Sequence, residues 1–452
     1  MKIGKQCFIL NFTSATIKKM ISTETIYKHY TKHPVISTDT RNITPGCIFF
    51  ALKGDLFNAN EFAHQAIEKG AAYAVIDEEK YAENAQCLLV NDVLETLQDL
   101  ARHHRKQLNI PVIGLTGSNG KTTSKELVNA VLAERYKTFA TFGNLNNHIG
   151  VPLSILAITA DVQIAVIEMG ANHQKEIELL CTIAQPTHGI ITNVGMAHLD
   201  GFGGFEGVKK GKAELYAYLK ATNGYTFINR NNAYLLEMSA NAGLNKLIYY
   251  GTANGNTIKG TLKSSDPFIE VTWTNHEAES TVKTNLTGSY NFENILAAIC
   301  IGDFFDMNPE EINAGLANYQ PKNNRSQLTK TEKNTVICDF YNANPSSMTA
   351  ALNNISALSA SKKTAILGDM FELGPESPTQ HQLIVSQAQE SGLDQLIFIG
   401  KYFYAFKEGV NGQFFETPAE AADYLQQNPI QDHLVLLKGS RGMKLENLLQ
   451  YI

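Results

Sequence analysis

One segment restricts the possible folds of this chain more than any other. Residues 111–115 form a short apolar run typical of a buried strand, and residues 127–132 have the apolar spacing of a helix. Between them lies the glycine-containing turn T-G-S-N-G-K-T-T, residues 116–123. A strand, a turn and a helix start in this order place backbone N–H groups at the positive end of a helix dipole, where phosphate groups bind. The segment therefore predicts an α/β sheet that binds a nucleoside triphosphate.

The turn also supplies side chains for the phosphates. Lys121 is placed to reach the β- and γ-phosphates, and the Thr122 hydroxyl to bind Mg²⁺. The common form of this loop has a glycine where this chain has Leu115. The shorter form, with its glycines at 117 and 120, is more typical of one group of ATP-dependent ligases than of kinases or GTPases.

Length and charge narrow the class of protein further. A chain of 452 residues is too long for one core and predicts about three domains. The net charge of −6 and the lack of Lys/Arg runs argue against a nucleic-acid partner. No apolar run approaches the roughly 20 residues that a membrane-spanning helix needs, so we expect no membrane span.

The cysteines are scattered and include no C-x-x-C pair; they are Cys7, Cys47, Cys87, Cys181, Cys300 and Cys338. This pattern is typical of reduced, mostly buried thiols in a cytoplasmic protein. Residues 1–19 contain an apolar stretch that is too short for a signal peptide. We interpret them as an extension or a misassigned start, before a helix whose N-cap is expected at Ser22 or Thr23.

The order of elements predicts a three-domain α/β protein, with domains at 1–91, 92–321 and 322–452. The first has short strands and a helix at 61–69, and a helix at 93–107 leads into the second. The second has buried strands at 112–116, 164–168 and 189–193, a β-rich side sheet within 225–287, and a closing helix at 291–305. The third is a Rossmann-like unit, with strands at 335–339, 364–367, 395–399 and 434–437 and a helix at 347–359.

Polar residues at strand ends are candidates for the site, because ligands of parallel α/β sheets bind at the carboxyl ends of the strands. Glu168 ends its strand and is placed to hold Mg²⁺, although a strand-end acid also caps turns. His198 follows the third strand and faces the same crevice, although a lone histidine is often structural. Lys209, Lys210 and Lys212 follow on a helix, and their spacing does not choose among them.

Seven further motifs carry a family resemblance together with the phosphate turn. They are N-L-N-N-H-I-G-V-P-L (144–153), I-E-M-G-A-N-H (167–173), I-T-N-V-G-M-A-H-L (191–199), G-S-Y-N-F-E-N (288–294), D-F-Y-N-A-N-P-S-S-M (339–348), L-G-D-M-F-E-L-G (367–374) and L-K-G-S-R (437–441). From about Ser22 onward the chain resembles the Mur ligase family. The run N-A-N-P (342–345) resembles the branch that adds a dipeptide, because single-amino-acid ligases have a different pattern there.

The resemblance implies roles for individual residues. Glu168, His198 and a carboxylated Lys212 would hold two Mg²⁺ ions, with Thr122 on the ion bound to ATP; Lys121, His198 and Lys212 would be catalytic. The nucleotide would contact Thr116, Gly117, Ser118, Asn119, Gly120, Lys121, Thr122, Thr123, Asn291, Asn294, Arg325 and Asp339. The other substrates would contact Ser37, Asp39, Thr40, Arg41, Lys53, Asn146, Asn147, Asn342, Asn344, Lys438 and Arg441. Of these, Arg41 suits the diphosphate of a UDP-sugar, because a guanidinium matches phosphate oxygens.

The resemblance also implies a reaction. The enzyme would use ATP to add D-alanyl-D-alanine to UDP-N-acetylmuramoyl-tripeptide through an acyl phosphate, giving the pentapeptide, ADP and phosphate in peptidoglycan precursor synthesis. We expect a cytoplasmic monomer whose first domain binds the UDP-substrate and whose third binds the dipeptide. A Mur-type ligase for a single amino acid, a P-loop kinase or ATPase, and a non-catalytic nucleotide-binding protein remain alternatives.

Three positions depart from the family pattern, namely Asn58-Ala59-Asn60, Asn324 and His148. We assign no metal role to His148, and we expect His381 to be a structural or exposed histidine.

Overall fold

A computed structural model describes residues 20–276, 278–322 and 324–452. The chain divides into two compact units, the first ending at His104 and the second running from Arg105 to Ile452. Residues 1–19, which we interpret as an extension or a misassigned start, lie outside the described residues. None of the helices in the described ranges has the length and apolarity needed to cross a membrane.

The first unit is a small α/β layer. Its strands are β1 (Ile36–Ser37), β2 (Ile48–Phe50), β3 (Lys53–Gly54), β4 (Phe57–Asn58), β5 (Tyr73–Ile76) and β6 (Cys87–Leu89), and its helices are α1 (Thr23–Tyr30) and α2 (Ala63–Glu68). Strands β1, β2, β5 and β6 form a parallel sheet in that order, and β3 and β4 form a short hairpin. Ser22 caps α1, as expected. The helix predicted at 61–69 begins later, because residues 59–62 form a 3₁₀ turn.

The next helix, α3 (Val93–Gln107), has the predicted bounds and spans the division between the units. A nine-stranded sheet follows in the second unit. Its strands are β7 (Val112–Thr116), β8 (Thr138–Ala140), β9 (Ile164–Glu168), β10 (His188–Ile191), β11 (Tyr225–Asn229), β12 (Lys246–Gly251), β13 (Ile258–Ser264), β14 (Glu270–Thr274) and β15 (Glu279–Lys283). Their order is β15-β14-β13-β12-β11-β10-β7-β9-β8.

The β-rich segment expected to form a side sheet instead extends this central sheet. Strands β11, β12 and β13 continue the parallel ladder from β10, and β13–β15 then turn antiparallel. The physical reason is a shared core, because Ile258, Val271, Trp273 and Val282 are buried in the same cluster as the residues of β7.

Eight helices accompany the central sheet among the described residues. They are α4 (Lys121–Leu132), α5 (Gly150–Leu156), α6 (Glu176–Ala184), α7 (Leu199–Phe202), α8 (Phe205–Thr222), α9 (Ala233–Ala242), α10 (Phe292–Phe304) and α11 (Pro309–Asn318). Helix α10 is buried along most of its length because it packs between α4 and strands β12 and β13.

The C-terminal part of the second unit has a six-stranded sheet. Its strands are β16 (Gln327–Lys330), β17 (Thr335–Asp339), β18 (Lys363–Gly368), β19 (Gln395–Ile399), β20 (Gln413–Phe415) and β21 (Leu434–Lys438), in the order β16-β17-β21-β18-β19-β20. Its helices are α12 (Pro345–Ala357), α13 (Ser377–Glu390), α14 (Lys401–Tyr404) and α15 (Pro418–Gln427). All pairs except β16–β17 are parallel. Strands β16 and β20 were not predicted.

Candidate active site

A cleft of about 1040 Å³ lies in the second unit, between the phosphate turn and the C-terminal sheet. Its wall includes residues at the carboxyl ends of β9, β17 and β21, where ligands of parallel sheets bind. The predicted site residues on its wall are Ser118, Asn119, Gly120, Lys121, Thr123, Asn146, Asn147, Glu168, His198, Asn291, Asn294, Arg325, Asp339, Asn342, Asn344 and Lys438. Thr116, Gly117, Thr122, Lys212 and Arg441 are not part of the wall.

The phosphate turn requires glycine at two positions. Gly117 has φ +148°, and a Cβ there would lie 2.0 Å from Thr192 Oγ1. Gly120 has φ +74°, and a Cβ there would lie 2.7 Å from Asn294 Oδ1. Larger residues would therefore push the turn away from its neighbours, and the backbone conformation itself favours glycine.

Lys121 is folded back onto this turn. Its ammonium donates to the carbonyl oxygens of Gly117 at 2.8 Å and Ser118 at 3.1 Å. Burial lowers the pKa of Lys121 to about 8, against the opposing effect of the Glu168 carboxylate. The lysine side chain is therefore held against the phosphate turn, and its contact with the phosphates stays a prediction.

The loop after β10 fixes the phosphate turn, a role that sequence reasoning missed. Asn119 N–H donates to Asn193 Oδ1 at 2.9 Å, and the Thr192 hydroxyl donates to Asn119 O at 2.6 Å. Ser118 Oγ accepts from Gly195 N–H at 2.9 Å. The sequence signal for this role is the T-N-V-G run at 192–195, which lies within one of the family motifs.

Glu168 is buried with one oxygen bound and one available. Asn146 Nδ2 donates to Oε1 at 2.8 Å, whereas Oε2 has no hydrogen-bond partner within the part of the chain that the structure describes. The Glu168 N–H donates to Thr141 Oγ1, and the buried Lys125 donates to Thr141 O at 2.6 Å. Asn147, in contrast, accepts the N–H groups of residues 149 and 150 and so shapes the start of α5.

His198 contacts a residue that sequence reasoning did not select. Its Nδ1 forms an ion-pair contact with Glu372 Oε2 of the loop after β18. The close contact with the His198 imidazole holds the pKa of the Glu372 carboxyl below its ordinary value. Both residues have left-handed backbones, with φ +53° for His198 and +63° for Glu372.

The structure distinguishes the three lysines of α8. Lys209 pairs with Glu206 and Glu237, and Lys210 is exposed. Lys212 is buried, with Nζ 3.4 Å from Ala171 O and 5.1 Å from the centre of the Phe202 ring. Burial, together with the charge of Lys121, lowers the pKa of Lys212 to about 7.

Asn291 and Asn294 form a buried polar chain next to the phosphate turn. Asn294 Nδ2 donates to Asn291 Oδ1 at 2.9 Å, and Ser124 Oγ donates to Asn294 Oδ1 at 3.0 Å. The centre of the Tyr341 ring, on the same cleft, lies 3.7 Å from the Arg325 guanidinium and 5.1 Å from that of Arg441.

Asp339, Lys438 and Asn344 contact other protein groups on the C-terminal side. Lys438 donates to Asp339 Oδ2 at 2.7 Å and to Asn342 O at 3.3 Å. Asn344 caps α12 by accepting from Ser347 N–H, and its Nδ2 donates to Asn119 Oδ1 at 2.7 Å. Asn344 therefore joins the C-terminal sheet region to the phosphate turn.

The residues predicted to bind the UDP-sugar lie in the first unit. Arg41, whose side chain is 86% exposed, pairs with Asp39 at 2.7 Å. Ser37 Oγ donates to Asp39 O, and Lys69 donates to Thr40 O. Lys53 pairs with Asp77 at 2.8 Å.

The unusual positions have structural contacts. Asn60, one of the departures from the family pattern, is fully buried and bonded to Asp77. His148 lies on the cleft wall. His381 is buried, where its Nε2 accepts the Met370 N–H. Within the described ranges, no three His, Cys, Asp or Glu side chains converge on a metal position.

Comparisons with known proteins agree over most of the chain. A Mur ligase middle domain matches residues 115–302, and a Mur ligase, glutamate ligase domain matches residues 324–441. A UDP-N-acetylmuramoyl-tripeptide–D-alanyl-D-alanine ligase of Bacillus subtilis is 35% identical over 431 residues, with 92% of each chain covered. The chain belongs to the Mur ligase family. The corresponding ligase of Escherichia coli is 34% identical over 422 residues, again with 92% of each chain covered.

Solved structures of Mur ligases have the same fold. MurF from Acinetobacter baumannii matches with a TM-score of 0.84 and 32% identity, covering 92% of each chain. MurF from Thermotoga maritima, solved in complex with ADP, matches with a TM-score of 0.82 and 25% identity, covering 92% of this chain and 96% of its own. The family match confirms the predicted resemblance. The likeness to the MurF structures confirms the predicted three-domain α/β fold. The chain is therefore an ATP-dependent ligase that forms carbon–nitrogen bonds.

Proposed function

We propose that this Mur ligase adds D-alanyl-D-alanine to UDP-N-acetylmuramoyl-tripeptide in peptidoglycan precursor synthesis, with ATP converted to ADP and phosphate. The observation that carries the proposal is the cleft itself, where the phosphate turn meets the N-A-N-P segment of the C-terminal region. The likeness to dipeptide-adding ligases over 92% of the chain supports the same substrate pair.

Lys121 and the backbone N–H groups of the phosphate turn bind the β- and γ-phosphates. Their positive charge stabilises the charge that gathers on the γ-phosphoryl group during its transfer. The remaining predicted nucleotide contacts, Asn291, Asn294, Arg325 and Asp339, line the same cleft. We assign Asn291 and Asn294 to the adenine, and Arg325 and Asp339 to the ribose and phosphates.

The residues around Glu168 suit a divalent cation. Its Oε2 is buried and lacks a hydrogen-bond partner in the described residues, a costly state that a cation would relieve. We propose that Thr122, Glu168, His198 and Lys212 hold two Mg²⁺ ions. When bound, these ions neutralise negative charge on the phosphates.

Lys212 becomes a metal ligand only after modification. With a pKa of about 7, a substantial fraction of its amine is neutral near neutral pH. The neutral amine attacks the carbon of CO₂, forms an N–C bond and releases a proton. The resulting carbamate is an anionic oxygen ligand, whereas an ammonium has no lone pair to offer.

The reaction then needs two bond exchanges. The terminal carboxylate of the tripeptide attacks the γ-phosphorus, and the bond to the β-phosphate oxygen breaks to release ADP. The dipeptide amine attacks the carbonyl carbon of the acyl phosphate, loses a proton, and expels phosphate as the amide forms. The C-terminal region lines the cleft and keeps water away from the acyl phosphate.

The remaining assignments follow the same scheme. We assign the UDP-sugar to Ser37, Asp39, Thr40, Arg41 and Lys53, and the other two substrates to Asn146, Asn147, Asn342, Asn344, Lys438 and Arg441. The domain boundaries are proposed at 91/92 and 321/322. The described cysteines are free thiols, which suits action in the reducing cytoplasm. We propose that the enzyme acts as a monomer.

The test is Mg²⁺-dependent phosphate release from ATP with UDP-N-acetylmuramoyl-tripeptide, with and without D-alanyl-D-alanine. We expect release to need both substrates, and the nucleotide product to gain the mass of the dipeptide less one water. Amide formation with a single amino acid would assign the chain to another branch of the family. A phosphorylated product without an amide would overturn the ligase mechanism.

A further inference from the structure

A contact between the two sides of the cleft assigns a role to an acidic residue. Glu372 lies in the loop 369–374 after β18, and its Oε2 contacts Nδ1 of His198. We propose that Glu372 is a positioning residue that sets the tautomer and the orientation of His198. The inference rests on the proposed function, in which His198 holds Mg²⁺.

The backbone conformations of His198 and Glu372 support a functional role for their contact. His198 and Glu372 both adopt left-handed conformations, with φ +53° and +63°, which are uncommon for residues with side chains. Such conformations cost conformational energy and are retained where the surroundings fix them, most often at functional sites. Here they occur on both partners of one contact, and each lies on the cleft wall.

The loop that carries Glu372 is anchored on both sides. Within the C-terminal region, Met370 N–H donates to His381 Nε2 at 3.0 Å, and Phe371 N–H donates to Ser440 Oγ at 2.9 Å. At its other end the loop packs closely on α7, because a Cβ on Gly374 would lie 2.8 Å from Asp200 Oδ1. The anchored loop therefore places Glu372 beside His198, although 55% of the Glu372 side chain is exposed.

The chemistry of metal-binding histidines explains the use of this carboxylate. A histidine that binds a metal through one ring nitrogen commonly donates the N–H of the other to a carboxylate. The carboxylate fixes the ring orientation and selects which nitrogen carries the proton. The contact of Glu372 Oε2 with Nδ1 favours a proton on that nitrogen, and such a proton leaves the lone pair of His198 Nε2 for a metal ion.

His198 and Glu372 come from different sheet regions of the second unit. His198 follows the central sheet, whereas Glu372 belongs to the C-terminal sheet region. Two further contacts join the same regions, from Asn344 to Asn119 and from Met196 N–H to Ser346 Oγ at 3.3 Å. The cation site at His198 is therefore complete only when the C-terminal region is in place.

The first test reads the tautomer directly and needs no metal. The full chain is labelled with ¹⁵N-histidine, and the His198 signal is assigned by its loss in His198→Gln. We expect the Nδ1–H tautomer in the unsubstituted protein and a shift toward Nε2–H in Glu372→Ala. Glu376→Gln, which changes an exposed acid four residues further along the chain, is the matched control and leaves the signal unchanged.

The second test measures binding of Mn²⁺, as a probe for Mg²⁺, by electron paramagnetic resonance in the presence of ADP. We expect Glu372→Ala to weaken Mn²⁺ binding by about 10- to 100-fold, and Glu372→Gln to lose less because its amide oxygen still accepts from Nδ1–H. An unchanged tautomer and unchanged Mn²⁺ affinity in Glu372→Ala would overturn the inference. Unchanged Mn²⁺ affinity in His198→Gln would instead remove His198 from the proposed metal site, while the tautomer measurement still decides the role of Glu372.

Discussion

Lys121 is the residue on which we expect phosphoryl transfer to depend most directly. Its ammonium donates to carbonyl oxygens of the phosphate turn, and in the proposed mechanism it supplies positive charge to the γ-phosphoryl group. We expect Lys121→Met to lower kcat for phosphate release by about 10²-fold or more, since one such charge contact contributes on that scale. Lys137→Met, at an exposed lysine paired with Asp161, is the control. ATP turnover close to the unsubstituted rate in Lys121→Met would remove the phosphate assignment.

Lys212 gives a second prediction at the same scale, because its proposed role depends on a modification. We expect Lys212→Ala to be inactive and to regain part of its activity with added formate or acetate, whose carboxylates replace the carbamate. The unsubstituted enzyme should lose activity when CO₂ is removed and regain it with bicarbonate. Lys210→Ala, at an exposed neighbour on the same helix, should behave like the unsubstituted protein in both assays. No rescue and no response to CO₂ would together exclude the carbamate.

His188 shows how one buried residue makes stability depend on pH. Burial lowers its pKa from an ordinary 6.5 to about 4, with its ring stacked 5.2 Å from that of Tyr225. His188 therefore becomes protonated near pH 6.5 in the unfolded chain but only near pH 4 in the folded chain. Its contribution to the free energy of unfolding is complete above pH 6.5 and decreases by roughly 2–3 kcal/mol as the pH falls to 4.

Thermal unfolding midpoints measured between pH 7.5 and pH 4 check this prediction. The midpoint should fall with pH in the unsubstituted protein and fall less in His188→Phe, which keeps the ring but not the titration. His64→Gln, at an exposed histidine of the first unit, should keep the full slope. Equal slopes in all three proteins would contradict the assignment.

At the scale of elements, helix α12 combines two roles in Asn344. The side-chain oxygen caps the helix, and the side-chain nitrogen donates to Asn119 of the phosphate turn. Asn344→Asp keeps a good cap and loses only the donor, whereas Asn344→Ala loses both. We expect the aspartate variant to keep its unfolding midpoint and to lose kcat, because two facing oxygens repel each other.

The alanine variant provides the comparison. It should lose about 1 kcal/mol of stability in addition to its loss of kcat, as is typical when a helix cap is removed. Midpoints and steady-state rates for the two variants separate the cap from the connection to the phosphate turn. A fully active Asn344→Asp would show that this connection does not matter for turnover.

Local patterns predicted the elements that depend on local sequence. Strands β7, β9, β17 and β19 have the predicted bounds, because each is a short apolar run between polar or turn residues. The same reasoning missed the pairing of β11–β15 with the central sheet, since sheet membership depends on distant partners. It also missed short strands such as β20, which has only three residues and a partly exposed edge.

The residues of the candidate site also differ in how well the sequence predicts them. Glu168 and the phosphate turn follow from strand ends and a local motif. The contact between Asn344 and Asn119 joins residues 225 positions apart, and no spacing in the sequence encodes it. Glu372 lies within the L-G-D-M-F-E-L-G motif, but only the folded structure shows that its carboxylate reaches His198. Long-range contacts between the two sheet regions are therefore the part of the site that the sequence hides.

For the whole molecule, the arrangement of the cleft predicts what happens when one substrate is absent. The phosphate turn and the C-terminal region line the same cleft. We therefore expect them to shield an acyl phosphate formed there from water. With ATP, Mg²⁺ and the tripeptide substrate but no dipeptide, we expect ADP to form only until the enzyme is filled, without continued turnover. Hydroxylamine added to this mixture should give the hydroxamate of the tripeptide, because it attacks the same carbonyl carbon as the dipeptide amine.

Addition of D-alanyl-D-alanine should convert that stalled state to pentapeptide in a single turnover, followed by steady release of phosphate. Rapid-quench measurements of ADP, hydroxamate and product mass distinguish the steps. Steady phosphate release without the dipeptide would mean that water reaches the acyl phosphate, and the C-terminal region would then have no shielding role. Hydroxamate formation that is lost in Lys121→Met but retained in Asn344→Asp would place Lys121 in the first bond exchange and Asn344 in the second. The two sides of the cleft would then serve the two halves of the reaction in turn.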